Sequence, residues 1–94
     1  MYMWRERSKE EKHEDVVNTG LLPLDVVEGF KIHPGFFRMY GACVASNGVS
    51  FTINSHGATR CTLLLFKPQA PKPYARIPFP DSYRIGDTYS MLVF

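Results

Sequence analysis

A strict alternation of apolar and polar residues over Val49–Asn54 constrains the fold of this chain more than any other feature. Valine, phenylalanine and isoleucine take every second position, and serine, threonine and asparagine lie between them. Successive side chains of a strand point to opposite faces, so the pattern predicts an antiparallel strand with one face in a core. Asn47-Gly48, directly before it, suits the positive φ angles of a tight hairpin turn. The segment therefore predicts a hairpin whose first strand lies within residues 38–45.

Three further strands are predicted downstream, at residues 59–66, 74–79 and 88–94. Three prolines between residues 67 and 73 predict a loop, because proline cannot donate a hydrogen bond to a ladder. Residues 80–87 predict a second loop. About five strands without a strong helical pattern indicate an all-β sandwich. The predicted core includes Val49, Phe51, Ile53, Leu63 and Leu65.

The N-terminal third has weaker patterns. Residues 1–15 are highly charged and predict a short exposed helix with little support of its own, or more simply a mobile tail or one that docks on another surface. Residues 16–37 carry apolar pairs interrupted by glycine and proline, which indicates an irregular leader with one short strand. The expected domain division is therefore a tail and leader at 1–28, followed by the sandwich at 29–94.

Composition excludes several classes of protein. The chain has 94 residues and a formal charge of +2, too small a positive charge to predict nucleic-acid binding. No stretch approaches the roughly 18 apolar residues of a membrane span, and no secretory signal is visible. The expected location is the cytoplasm, without membrane contact. Cys43 and Cys61 lie in apolar strand patterns and predict two reduced, buried thiols.

No catalytic constellation is visible in the sequence. The three histidines lack zinc-ligand spacing to each other or to a cysteine, so we predict no metal site. Asp81 and Asp87 are the only carboxylates after residue 38, and they have no obvious third partner. The nucleotide-binding and nucleophile motifs are also missing. We expect no catalytic residue and no cofactor in this chain.

Tyrosines are the remaining candidates for a binding site. Tyr74, Tyr83 and Tyr89 can present flat rings to sugars, as can Trp4 and Tyr40. The cations near those tyrosines that could bind sugar hydroxyls are Lys67, Lys72 and Arg84. The simpler interpretation is that such tyrosines cover the rim of a small core and that the cations are solvated.

Several ordered motifs resemble one family. The first motifs are Gly41-Ala42, a turn that ends at Gly48, Phe51, and Ala58-Thr59 followed by Leu63–Phe66. The later motifs are an Arg-Ile-Pro segment at residues 76–78 and an Arg-Ile-Gly-Asp-Thr-Tyr segment at residues 84–89 that precedes the final predicted strand. This series is similar to carbohydrate-binding module family 48, the N-terminal early-set domain of isoamylase-type and glycogen-debranching enzymes in glycoside hydrolase family 13. The resemblance covers roughly residues 29–94.

The resemblance implies an immunoglobulin-like (early-set) β-sandwich that lacks its last strand or strands. It also implies a non-catalytic module that packs on the catalytic (β/α)₈ barrel of an α-1,6-glucan hydrolase and binds α-glucan such as glycogen or starch. The barrel and its catalytic carboxylates have no counterpart in this chain. Two alternatives stay open: a stand-alone glycogen- or starch-binding module, and a protein-interaction sandwich without a sugar role.

A missing final strand has a further implied consequence. The apolar C-terminal segment would then form an unpaired sheet edge, and such edges tend to pair with other chains. We therefore expect self-association through this edge, by strand pairing or exchange between copies.

Overall fold

Strands dominate the structure because aliphatic, aromatic and β-branched residues fill the runs between its glycines and prolines. The computed structural model describes residues 2–5 and 16–94. Within these ranges no helix has the length and apolar character needed to cross a membrane. The strands are β1 (Tyr2–Arg5), β2 (Asp25–Val27), β3 (Phe30–Pro34), β4 (Gly41–Ala45), β5 (Gly48–Asn54), β6 (Thr62–Phe66), β7 (Ala75–Pro78), β8 (Arg84–Ile85) and β9 (Thr88–Val93).

Two sheets face each other across one core. Sheet A has the strand order β1-β6-β7, and sheet B has the order β2-β3-β9-β5-β4 with β8 beside β9. The predicted all-β class is confirmed, as are the five strands predicted from residue 38 onward, which are β4, β5, β6, β7 and β9. The buried core draws on both sheets and consists of Ile32, Phe51, Cys61, Leu63, Leu65, Ile77, Phe79, Tyr83, Tyr89, Met91 and Val93.

The N-terminal residues contribute a strand that the sequence pattern did not predict. Tyr2–Arg5 pairs in parallel with β6, so that Tyr2 lies beside Leu63 and Trp4 beside Leu65. Both aromatic rings meet Phe51 edge-on, at centroid distances of 5.9 and 5.2 Å. Residues 2–5 therefore belong to sheet A and are neither helix nor tail. The prediction of a short helix or a tail also covered residues 6–15, which lie outside the residues that the structure describes.

The C-terminal strand is an interior strand, which contradicts the expectation that it forms a free edge. β9 is paired with β3 on one side and with β5 on the other. The edges of the described sheets are β1 and β7 in sheet A and β2, β4 and the two-residue β8 in sheet B. Val17 covers part of the β4 edge through backbone hydrogen bonds to Val44 and Ser46. Self-association of the chain stays a prediction, but β9 offers no edge for it.

The tight turns also differ from the expectation. Ser46 and Asn47 connect β4 to β5, and neither Asn47 nor Gly48 has a positive φ. The pair with positive φ is Glu28-Gly29, at 52° and 81°, which joins β2 to β3 as a two-residue loop. Gly48 is required for a different reason, which is close packing: a Cβ there would press on the carbonyl group of Val93.

The polar face of β5 is covered rather than solvated. Ser50 is 0% and Thr52 1% exposed. Ser50 Oγ accepts a 2.9 Å hydrogen bond from the Phe36 N–H, and Thr52 Oγ1 donates to the Phe36 carbonyl at 3.1 Å. The segment after β3 thus lies on the outer face of sheet B and replaces water as the hydrogen-bonding partner of these hydroxyls.

Both cysteines are free thiols, and only one of them is in the core. Cys61 is 2% exposed and belongs to the inter-sheet cluster. Cys43 is half-buried on β4, with its Sγ 3.7 Å from Met39 Sδ. The prediction that both thiols are buried holds for Cys61 alone.

Candidate functional site

An apolar cleft opens between the two sheets at one end of the molecule. Its volume is about 230 Å³, and Phe51 and Leu65 lie at its base. The cleft is found where strands of both layers end, since Leu65 is near the end of β6 and Val49 near the start of β5. The side chains that form its walls are Trp4 and Tyr74 from the sheet A side and Phe30, Val49 and Phe94 from the sheet B side.

One sequence-predicted site residue, Tyr74, lines this cleft, and a second, Lys67, contacts its ring. Tyr74 immediately precedes β7, where its N–H donates to the Leu65 carbonyl at 2.8 Å. Its side chain is 45% exposed. The Lys67 ammonium lies 4.6 Å from the centroid of the Tyr74 ring, within cation–π distance. The pair presents an aromatic ring and a cationic hydrogen-bond donor side by side.

Arg5 holds the proline-rich loop that borders this pair. Its Nη1 donates to the carbonyls of Lys67 and Ala70 at 2.9 and 2.7 Å. The guanidinium carbon also lies 4.8 Å from the Phe66 ring centroid. Hydrogen bonds from a charged donor are stronger than neutral ones. The N-terminal strand therefore positions the loop as well as one wall of the cleft.

Tyr83 and Tyr89 cannot act as stacking platforms in this structure. They are 1% and 0% exposed, because their rings fill the core beneath sheet A. The Tyr89 hydroxyl donates to the Ala58 carbonyl at 3.2 Å, and the Tyr83 hydroxyl donates to Asp25 Oδ2 at 2.5 Å. Burial, and then the hydrogen bond to Asp25, raise the pKa of Tyr83 well above its ordinary value. The two tyrosines lie within the core itself, deeper than the rim position of the simpler interpretation.

Arg84 lies at the opposite end of β9 from the cleft. Its Nε donates to the Gly86 carbonyl at 2.6 Å, and its guanidinium carbon is 5.5 Å from the Tyr89 ring centroid. The nearby Asp87 Oδ2 lies 2.8 Å from His56 Nδ1, and the hydrogen bond between the two side chains lowers the pKa of Asp87. Arg84 thus begins β8, next to the turn that contains Gly86, and is not brought together with Lys67 and Tyr74.

We expect the free energy of unfolding to fall as the pH rises above about 10, the ordinary pKa of tyrosine. The raised folded-state pKa means that the native chain keeps the Tyr83 proton after the unfolded chain has lost it. The stabilisation that the protonated Tyr83 gives the folded chain is therefore complete below about pH 10. It is lost as the pH rises towards the pKa of Tyr83 in the folded chain, by up to about 1.4 kcal/mol per pH unit. Denaturant titrations between about pH 8 and 11 measure the slope. Tyr83→Phe should show a clearly shallower slope, and an equal slope would contradict this assignment.

Sequence reasoning missed most of the cleft wall. It indicates Trp4 only as one possible ring, and it does not single out Phe30 or Phe94 as binding residues. The alternation of Tyr2 and Trp4 with Met3 and Arg5 is a strand pattern that could have indicated the wall. Four residues are too few for such a pattern to stand out beside a long charged stretch.

The arrangement suits non-covalent binding of a ligand with flat apolar faces. Within the described residues, no group of three histidine, cysteine, aspartate or glutamate side chains is placed to hold a metal ion. The cleft itself is walled by aromatic and aliphatic side chains, with no aspartate or glutamate among the described residues that line it. Comparison with protein-family models, curated proteins and solved structures finds no match to this chain.

Proposed function

We propose that this chain is the non-catalytic N-terminal module of an α-1,6-glucan debranching enzyme, with an immunoglobulin-like early-set fold. In this proposal it packs on the catalytic (β/α)₈ barrel and holds an α-glucan at the inter-sheet cleft. The observation that carries the glucan-binding part is the exposed Tyr74 ring at the mouth of a cleft walled by Trp4 and Phe30. Aromatic faces pack on the C–H faces of sugar rings, and Lys67 supplies a donor for hydroxyl groups.

The positions of the family-like motifs support the proposal. Gly41-Ala42 begins β4, Phe51 is the central core residue of β5, and Leu63–Phe66 forms most of β6. The Arg-Ile-Pro segment forms the last three residues of β7, and the Arg-Ile-Gly-Asp-Thr-Tyr segment forms β8, the turn after it and the start of β9. Each motif thus lies in a strand or in a turn between strands, as a module of this type requires.

Affinity electrophoresis in native gels with and without glycogen tests the glucan-binding part. We expect glycogen to retard the chain and Tyr74→Ala to weaken the apparent affinity about tenfold, the effect of losing one aromatic anchor from a binding cleft. Tyr40→Ala is the matched control, because Tyr40 is 62% exposed and does not line the cleft. Circular dichroism verifies that both variants fold.

Two results would count against glucan binding at the cleft. One is unchanged mobility of the wild-type chain in glycogen. The other is an equal effect of Tyr74→Ala and Tyr40→Ala. Retardation of the isolated chain would fit both an enzyme module and a stand-alone module, and the reading frame around the gene distinguishes them, because only an enzyme module is encoded together with a barrel.

A further inference from the structure

The deepest part of the inter-sheet cleft offers a sugar no hydrogen-bonding side chain. Its innermost residues are Phe51, Leu65 and Val93, which are 1%, 4% and 8% exposed. Among the described residues that line the cleft, only Trp4 and Tyr74 carry a polar side-chain atom. Both are wall residues nearer to solvent, and Tyr74 is 45% exposed. The polar side-chain atoms of the cleft thus belong to its outer residues, and its base is apolar.

The backbone at the base is already used in strand pairing. Val93 lies beside Val49 in the ladder between β5 and β9. The Leu65 carbonyl, in the central strand of sheet A, accepts the Tyr74 N–H at 2.8 Å. A sugar hydroxyl that moved from water to this base would lose its hydrogen bonds and gain no partner, which is unfavourable for each hydroxyl. We therefore expect a glucan to stack at the mouth of the cleft and to leave the base unfilled.

The cleft has the size and the walls to take one flat ring. It measures about 230 Å³, and an apolar cavity of about 150 Å³ in another protein binds benzene. Trp4 forms a wall on the sheet A side, and Phe30 and Phe94 form the wall on the sheet B side. Aromatic rings attract each other beyond simple burial when they meet edge-on or offset. A flat aromatic group is thus the chemistry that these walls favour.

We propose that the cleft binds α-glucosides that carry an aromatic aglycone, with the aromatic ring at the base and the sugar at the mouth beside Tyr74. The ring covers the apolar base, and the sugar hydroxyls keep their contact with water. Such a compound binds more tightly than a plain glucan of the same length, because only the aglycone fills the base. The choice of a glucoside rests on the proposed function, whereas the ring site rests on the lining residues alone.

Binding of phenyl α-maltoside and of maltose to the full chain tests the proposal. Trp4 is the only tryptophan and lines the cleft, so its emission follows each titration. We expect phenyl α-maltoside to bind about tenfold more tightly than maltose, as the burial of one ring predicts. Saturation-transfer NMR should show stronger transfer to the phenyl protons than to the sugar protons. Benzyl alcohol, which has the ring and no sugar, should compete with phenyl α-maltoside.

Val49→Phe and Val44→Phe form a matched pair of variants. Val49 lines the cleft, whereas Val44, its half-buried partner on β4, does not. Val49→Phe should occupy the space of the ring and reduce the preference for phenyl α-maltoside over maltose to less than about twofold, whereas Val44→Phe should leave it near about tenfold. Thermal melts identify a variant that loses its fold, and Val49→Leu then repeats the test with a smaller side chain.

Three outcomes would overturn the proposal: equal affinity for phenyl α-maltoside and maltose, stronger transfer to the sugar protons than to the phenyl protons, or equal effects of Val49→Phe and Val44→Phe. Failure of the ring site and failure of glucan binding give different results. If benzyl alcohol and phenyl α-maltoside bind but maltose and glycogen do not, the ring site stands and glucan binding is wrong. If maltose binds as tightly as phenyl α-maltoside, glucan binding stands and the ring site is wrong.

Discussion

Replacement of Phe51 by alanine is expected to lower the free energy of unfolding by about 4 kcal/mol, within the range measured for phenylalanine-to-alanine changes in protein cores. Phe51 is 1% exposed, so its ring lies fully between the sheets. The change removes the apolar area of the ring and leaves a cavity that rigid strands on both sides cannot fill. It also removes the ring on which Tyr2 and Trp4 pack edge-on. Guanidinium titrations followed by circular dichroism measure the loss.

Trp4 provides a second measurement because it is the only tryptophan of the chain. Its emission reports on β1 alone, and we expect a red shift in Phe51→Ala before denaturant is added. Phe51→Leu should retain most of the stability, at a cost of about 1.5 kcal/mol, because it leaves a smaller void. The exposed Tyr40 is the control, and Tyr40→Ala should cost less than about 0.5 kcal/mol. A similar small loss in Phe51→Ala would contradict the assigned core.

Gly48→Ala is expected to destabilise the chain by about 3 kcal/mol, the upper part of the range for overpacking. A Cβ at this position would collide with the Val93 carbonyl oxygen and lie 3.0 Å from the Val93 carbonyl carbon and 3.1 Å from Phe94 Cα. All of these are backbone atoms, so no rotamer change relieves the contact. Relief requires a shift of β5 against β9, the most extensively paired strands of sheet B. Thermal unfolding measures the change.

Gly20→Ala is the matched control for this substitution. A Cβ added at Gly20 would meet no atom within 4 Å, and Gly20 does not have a positive φ. Its replacement should be neutral or stabilising by a few tenths of a kcal/mol, because alanine restricts the unfolded chain. Equal melting temperatures for the two variants would show that the close approach of Gly48 to Val93 does not exist.

The strands that sequence alone predicted are those with a strong local pattern. β5 alternates over a full strand, and β6 is apolar at consecutive positions because it is covered on both faces and lies between β1 and β7. Sequence alone missed β1 and β8, which have four and two residues, and it predicted a single short strand within residues 16–37, where the structure has both β2 and β3. Over so few residues a period of two is hardly distinguishable from chance. Their pairing is decided by distant partners.

The candidate site was predicted in part for the same reason. Lys67 and Tyr74 flank one proline-rich loop, so local reasoning could place them together. Tyr83 and Tyr89 are near them in sequence but point into the core. The direction of Tyr89 is determined by the pairing of β9 with β5, and Tyr83 lies in the short 3-10 helix Asp81–Tyr83 that follows β7. Tyrosine suits both places, since its ring is apolar and its hydroxyl can bind a carbonyl or a carboxylate. Residue type alone therefore could not show which tyrosines line the cleft and which are buried in the core.

The parallel pairing of β1 with β6 also has a consequence for synthesis on the ribosome. The first strand leaves the ribosome long before its partner exists, because Arg5 contacts a residue 62 positions later. At about 5–20 residues per second, roughly 3 to 12 seconds pass between the two. During this interval Tyr2 and Trp4 have no sheet to join, while the local β4–β5 hairpin can form within microseconds. Trp4, one side chain of the cleft wall, is thus translated well before the strand beside which it packs.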